Sequence, residues 1–213
     1  MAAPAAPEDL VRALRTAGIA DRRVLAAVRA TPRAGFVPTG HVALAYRDEP
    51  VPIAHGQVTT QPSLSARMIE GLGLSGTEHV LEVGTGLGFQ TALLARLAAD
   101  VVSIERWPDL SEQARRNLDR AGIRHVELRV GDGSCGVPDR APYDAVVVSA
   151  AFPHVPPPLV EQLRTGGRLV QPIGPGGEEE VVAFERTGAG LTRRQLLTWA
   201  RFVRLYGRHG FPP

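Results

Sequence analysis

Glu82-Val83-Gly84-Thr85-Gly86-Leu87-Gly88 ends the apolar run that begins at Val80 and leads into a helical pattern over 90–99. A strand that runs into glycines and then into a helix is the opening unit of a ligand-binding α/β sheet. Glycine accepts positive φ and lets a ligand touch the backbone. The start of the following helix offers unpaired N–H groups. The alternation continues outward. Segments 101–104, 126–130, 143–149 and 168–173 read as strands, and 110–121 and 159–163 as helices. Strands that alternate with helices predict a parallel sheet covered on both faces. The last two strands, 180–185 and 195–205, are separated only by the turn-rich Thr187-Gly188-Ala189-Gly190, so they are expected to pair antiparallel at one edge.

Upstream of the glycines the chain is different. Leu10, Val11 and Leu14 share one face of a helix over 8–17, and Val24, Leu25 and Val28 one face of a helix over 21–30, with Asp21 as its N-cap. Residues 32–62 are rich in proline and glycine and lack periodicity, as functional loops often do. A helix over 63–72 follows. The expectation is one domain, with 1–75 as helical cap and active-site loop and 76–213 as cofactor-binding core.

Composition excludes several classes. The net charge of +2 gives no ground for nucleic-acid binding, although the 24 basic residues, all arginine, lift the pI to 9.2. One cysteine, Cys135, allows no internal disulfide. No apolar run approaches the roughly 18 residues of a membrane span. The start, Met1 to Pro7, lacks the basic and apolar regions of a secretion signal and reads as a frayed tail. A soluble, cytoplasmic monomer is expected, with no nucleic-acid or membrane partner. The six histidines, His41, His55, His79, His125, His154 and His209, form no metal-ligand spacing. Ser63, Ser65 and Ser134 lack the setting of a hydrolase nucleophile.

Three strand ends should converge on the ligand. Gly84, Gly86 and Gly88 follow the first strand. Glu105 ends the second, about 20 residues on, where a carboxylate accepts from both hydroxyls of a ribose. Gly131-Asp132-Gly133 ends the third, and Asp132 is placed to meet an adenine amino group. Together they predict an adenosine-type ligand. A nicotinamide-dependent oxidoreductase would place a third glycine at Phe89 and needs a hydride-transfer site that is not found. A non-catalytic adenosine-binding module stays open.

Several segments resemble the protein-L-isoaspartate O-methyltransferase family over nearly the whole chain. They include Pro32-Arg33-Ala34-Gly35-Phe36-Val37-Pro38, Ala45-Tyr46-Arg47-Asp48, Gly56-Gln57-Val58-Thr59-Thr60-Gln61-Pro62, the glycine loop through Gln90, Ser103-Ile104-Glu105-Arg106, Gly131-Asp132-Gly133 and Gly166-Gly167-Arg168-Leu169. The glycine loop is shared by many methyltransferases; 56–62 is the part characteristic of this family. The resemblance implies a Rossmann-like methyltransferase sheet, mostly parallel with an antiparallel C-terminal edge and an N-terminal helical cap. It implies S-adenosylmethionine as cofactor and no metal. Methyl transfer goes to the free α-carboxylate of an L-isoaspartyl residue in a damaged protein, and the ester then closes to a succinimide. By resemblance Thr60 is the catalytic hydroxyl. Gln57, Val58, Thr59, Glu82, Gly84, Thr85, Gly86, Gly88, Glu105, Arg106, Asp132 and Gly133 would hold the cofactor.

The chain also departs from the family. Val58-Thr59-Thr60 replaces the usual threonine, isoleucine, serine. Leu87 and Phe89 replace a common serine and tyrosine. Arg204 stands where proline is usual and is a candidate partner of a substrate carboxylate, as is His55 beside the loop, each set against a plainer structural role. The altered loop keeps a second activity open: carboxyl methylation of an ordinary aspartate in a peptide natural-product precursor, leading to succinimide or isoaspartate.

Overall fold

The computed structural model describes residues 6–212. The predicted frayed tail lies outside them except for Ala6 and Pro7. A seven-stranded sheet has the order β3-β2-β1-β4-β5-β6-β7. Strands β1 (His79–Val83), β2 (Asp100–Glu105), β3 (Val126–Val130), β4 (Tyr143–Val148) and β5 (Leu163–Ile173) run parallel. β6 (Glu179–Thr187) and β7 (Gly190–Ala200) add the expected antiparallel edge. Val80 and Leu81 of β1 and Ala145 to Val148 of β4 are inaccessible to solvent, as central strands covered on both faces must be.

The helices cover the sheet. α1 (Pro7–Thr16) and α2 (Arg22–Arg29) bury the stripes read from the sequence, and α3 (Pro62–Leu72) packs between them and the sheet. Asp21 caps α2, its carboxylate accepting from Arg23 N at 2.7 Å and Val24 N at 3.3 Å. Leu10, Leu14, Met68 and Leu72 are at most 1% exposed; each such side chain stabilises the packing by roughly 1.5–3 kcal/mol. α4 (Phe89–Ala95), α5 (Pro108–Arg120) and α6 (Pro157–Gln162) complete the crossovers. From β1 the chain steps to β2 and β3 on one side, then returns to β4 on the other. The crevice between the diverging C-terminal ends of β1 and β4 is where such sheets bind ligands.

Several boundaries differ from expectation: the helix read over 90–99 ends at Ala95, and the last strand, read from 195, begins at Gly190. Leu163, read as the end of a helix, already pairs with Tyr143; the pairing breaks and resumes at Arg168 opposite Ala145, where the strand was expected. The final strand ends at Ala200 instead of continuing to 205. Beyond it Phe202 N donates to the buried Glu179 carboxylate at 2.9 Å, and the chain leaves the edge. Residues 203–205 instead flank the segment after β4: Ala151 N donates to Val203 O and Leu205 N to Ala151 O, both at 2.8 Å. An apolar run that carries on past a strand end cannot reveal this change of partner. Its consequence is to bring Arg204 to the ligand end of the sheet.

Candidate active site

A cleft of about 940 Å³, open at its mouth, lies over the β1/β4 crevice. Gly84, Thr85 and Gly86 form its floor, and Glu105, Arg106 and Gly133 one wall. Gln57, Val58, Thr59 and Thr60 come from the loop before α3, and Arg204 from the C-terminal segment. Those residues span most of the chain in sequence, and the fold gathers them around one space.

The floor needs its glycines. Gly84 has φ of 99°, and a Cβ there would sit 3.3 Å from the Ser149 Cβ. A Cβ on Gly133 would lie 2.5 Å from Val83 Cγ1. Gly88 does not line the cleft. It caps α4 with φ of 89° and lets Ala114 of α5 approach to 3.3 Å of where its Cβ would be. Glu105 is 6% exposed; its Oε2 accepts from Gly86 N at 2.9 Å and its Oε1 from Trp107 N at 3.1 Å. Those bonds aim the carboxylate and leave it lone pairs for the cleft.

Glu82 is buried beneath the floor and reaches no ligand space. Its carboxylate accepts from Thr91 Oγ1 at 2.5 Å, Ser103 Oγ at 2.6 Å and Gln90 Nε2 at 3.1 Å. Burial pushes its pKa up to about 7 despite those bonds. Its contact with the cleft is indirect, through Gln90, which also donates to Ser149 Oγ at 2.9 Å. Asp132 likewise turns away from the main cleft. Its carboxylate accepts from Ser134 N at 2.9 Å, Ser134 Oγ at 2.6 Å and Arg208 N at 2.7 Å, and it lines an adjoining cleft with Arg106, Tyr206 and Arg208. Burial raises its pKa, but the donors outweigh burial and the net shift is downward.

The loop over the cleft is organised by a residue outside the expected site set. Arg33 is 1% exposed. It donates to Ala45 O at 3.2 Å, Arg47 O at 3.1 Å, Glu49 O at 3.1 Å and Thr59 Oγ1 at 2.9 Å. Burial brings its pKa down to about 10, so it stays charged at neutral pH. Thr59 Oγ1 also accepts from Val51 N at 3.0 Å, which makes Thr59 a brace of the loop. Asp48 accepts from Ser63 N at 2.8 Å and Gln61 Nε2 at 3.1 Å and so fixes the loop to the start of α3. Next to these tied residues, Thr60 is half-buried on the cleft wall, and its hydroxyl has no protein partner among the described residues.

His55 is the only non-glycine residue with positive φ among the described residues. Its ring stacks on Trp107 at 3.9 Å, and Nε2 lies 2.9 Å from both Asp109 oxygens. That hydrogen bond, first among its causes, holds the Asp109 pKa down. His55 thus latches the loop to the start of α5 and does not line the cleft.

Two buried polar atoms on the cleft lining lack a protein partner: Gln90 Oε1, an acceptor, and Trp107 Nε1, a donor. Buried polar groups left unpaired are uncommon and costly, so they point to a ligand with a matching donor and acceptor. Among the described residues no three His, Cys, Asp or Glu side chains gather to hold a metal, and no helix is long and apolar enough to cross a membrane.

The family model for protein-L-isoaspartate(D-aspartate) O-methyltransferases matches residues 5–210. The chain belongs to this family. It is 48% identical over 198 residues to the protein-L-isoaspartate O-methyltransferase of Methanoculleus marisnigri, covering 93% of this chain and 90% of the relative. It is 50% identical over 199 residues to that of Anaeromyxobacter dehalogenans, covering 92% and 95%. A solved protein-L-isoaspartate O-methyltransferase superposes with a TM-score of 0.83 at 30% identity, over 96% of this chain and 67% of that one. A Plasmodium falciparum protein in complex with S-adenosyl-L-homocysteine shares the fold, with a TM-score of 0.78 at 21% identity over 92% of this chain and 96% of that one. The methyltransferase sheet read from the sequence is therefore the fold of this family.

Proposed function

We propose that this protein transfers a methyl group from S-adenosylmethionine to the α-carboxylate of L-isoaspartyl residues in damaged proteins and peptides, in the cytoplasm. One observation carries the reading: in a chain of this family, Gln57 to Thr60 and Val83 to Leu87 of the glycine loop wall a single cleft. The relatives named above for isoaspartate methylation favour this reading over methylation of ordinary aspartate. The lone cysteine accords with a reducing compartment.

The bound cofactor supplies an electrophilic methyl on a sulfonium. Glu105 is placed to accept from ribose hydroxyls, and Gln90 Oε1 to accept from an ammonium. Gly84 and Gly86 let the ligand lie against the backbone. On Asp132 and Glu82 the proposal narrows. Asp132 reaches an adenine only from the adjoining cleft, and Glu82 acts by holding Gln90 and Ser103.

An isoaspartyl carboxylate is ionised at neutral pH, with a reference pKa of about 4. It needs no base. Its oxygen forms the new C–O bond while the S–C bond breaks with its electron pair staying on sulfur, and no proton moves. The protein's part is positioning and exclusion of water. Thr60 provides the free hydroxyl that orients the carboxylate; Arg33 and Thr59 hold it there. The deciding experiment is transfer from labelled S-adenosylmethionine to paired isoaspartyl and aspartyl peptides. Selective labelling of the isoaspartyl member is expected; equal labelling, or none, overturns the proposal.

A further inference from the structure

The cleft mouth carries cations that make no ion pair among the described residues. They are Arg106, Arg204 and Arg208, all exposed. Arg106 and Arg204 line the main cleft, Arg106 and Arg208 the adjoining one. The nearby carboxylates are oriented by other donors: Glu105 by Gly86 and Trp107 N–H groups, Asp132 by Ser134 and Arg208 N–H groups, Asp109 by His55. Arg204 is held in place by its backbone neighbours and by one ring. Val203 and Leu205 on either side of it bond to Ala151. Its guanidinium sits 5.0 Å from the Phe211 ring centroid, and that ring packs edge-on against Phe152 at 5.1 Å. The same guanidinium lies over Gly176, where a Cβ would come within 3.1 Å of Nε. This fixes a cation beside the segment that follows β4, on the lining of the same cleft as Ser149, Ala150 and Glu105.

The reacting carboxylate is a poor target for that cation. Methylation turns the anion into a neutral ester, so a guanidinium bound to it stabilises the ground state more than the transition state and slows the reaction. An anion that keeps its charge throughout suffers no such penalty. We propose that Arg204 is a specificity-determining residue that reads a second, non-reacting carboxylate: the side chain of an acidic residue flanking the isoaspartyl position. This rests on the carboxyl-methylation reading above. Arg106, sandwiched between Trp107 at 5.0 Å and Tyr206 at 5.3 Å, extends the same positive field along the mouth.

The test is steady-state methylation of isoaspartyl peptides with Glu, Gln or Lys at each of the two positions on either side. At one position or more, Glu should raise kcat/KM over Gln by about fivefold, through KM, as an exposed ion pair allows. The advantage should shrink as salt rises. Arg204→Gln should bring the Glu/Gln ratio to about one, and Arg204→Glu should turn the preference toward Lys. A wild-type ratio near one at every position overturns the proposal, as does a preference that survives in Arg204→Gln. Should these variants fold poorly, the wild-type charge series can still overturn the proposal. Arg204→Lys, which keeps the charge, should keep the Glu preference, and Arg106→Gln should leave it in place. Failure to methylate any isoaspartyl peptide sinks the underlying activity, whereas methylation blind to flanking charge sinks only the role of Arg204.

Discussion

Replacing Arg33 with methionine tests whether one buried side chain holds the active-site loop. The guanidinium donates to three carbonyls and the Thr59 hydroxyl. It has no carboxylate hydrogen-bonded to it, so the variant strands acceptors rather than a counter-charge. A hydrogen bond from a charged group contributes roughly 1.5–3 kcal/mol. The cost of burying the guanidinium, seen in its pKa of about 10, offsets part of the sum. A net local loss of about 3 kcal/mol is expected. It falls on the loop, because the sheet core is built without it. Thr59 N, which donates to Val51 O at 2.8 Å, is the reporter. Native-state hydrogen exchange there should quicken on the order of 100-fold, while strands β1 and β4 keep their protection. In the same variant kcat/KM for an isoaspartyl peptide should fall by at least about tenfold, the equivalent of 1.4 kcal/mol of lost positioning. Arg33→Lys should lie between, since an ammonium keeps the charge but cannot fork to four acceptors. Exchange at Val51 and Thr59 unchanged in a folded Arg33→Met protein would refute the reasoning.

Other expectations follow from the same geometry. Thr60→Val keeps the shape and removes the hydroxyl; kcat should drop by about 10- to 100-fold, with little change in cofactor affinity by calorimetry, and a loss confined to cofactor affinity would contradict its role. Glu82, with its pKa raised from 4.5 to about 7, contributes stability that is full below pH 4.5 and lost as pH rises through about 7. Relative to Glu82→Gln, denaturant unfolding of the wild type should therefore lose about 3 kcal/mol across that window; parallel pH profiles would show the carboxyl to be ordinary. Glu78 pulls the other way at lower pH. Burial raises its pKa, but the Ser75 hydroxyl and the Ser75 and Gly76 N–H groups bring it down to about 2, so its contribution is lost only in acid. His55→Asn tolerates the left-handed backbone but lacks the stacked ring, so cofactor dissociation in stopped flow should quicken about fivefold; an unchanged rate would mean that the latch carries no load.

Much of the fold was legible because its signals are local. A short apolar run bounded by turns has one reading in this alternating pattern: Ala145 to Val148 is apolar throughout and ends up sealed on both faces. Gly84 to Gly88 marked where the chain turns under the ligand. Val101 to Ile104 and Leu110 to Ala121 carried unmistakable periods of their own. What failed was the partner of the final segment. Phe202-Val203-Arg204-Leu205 continues the apolar pattern of β7, and nothing in that pattern says that Glu179, 0% exposed, captures Phe202 N and turns the chain away.

The site divides along the same line. Residues that touch the ligand space through backbone or short side chains, such as Gly84, Gly86 and Thr60, could be placed from strand ends and family pattern. Glu82 and Asp132 could not, because a carboxylate at a strand end looks the same whether it faces the ligand or the protein. Their donors decide it, and those come from residues near and far: Thr91 and Ser103 for one, Ser134 and Arg208 for the other. Arg33 is the reverse case, a charge in an irregular stretch that looks solvated and is the most buried cation of the site. Its signal was present in the many carbonyls that a long loop without periodic structure must satisfy. About thirty residues of such chain need an internal donor set, and a guanidinium, with five N–H groups and no acceptor, is the side chain best suited to provide one.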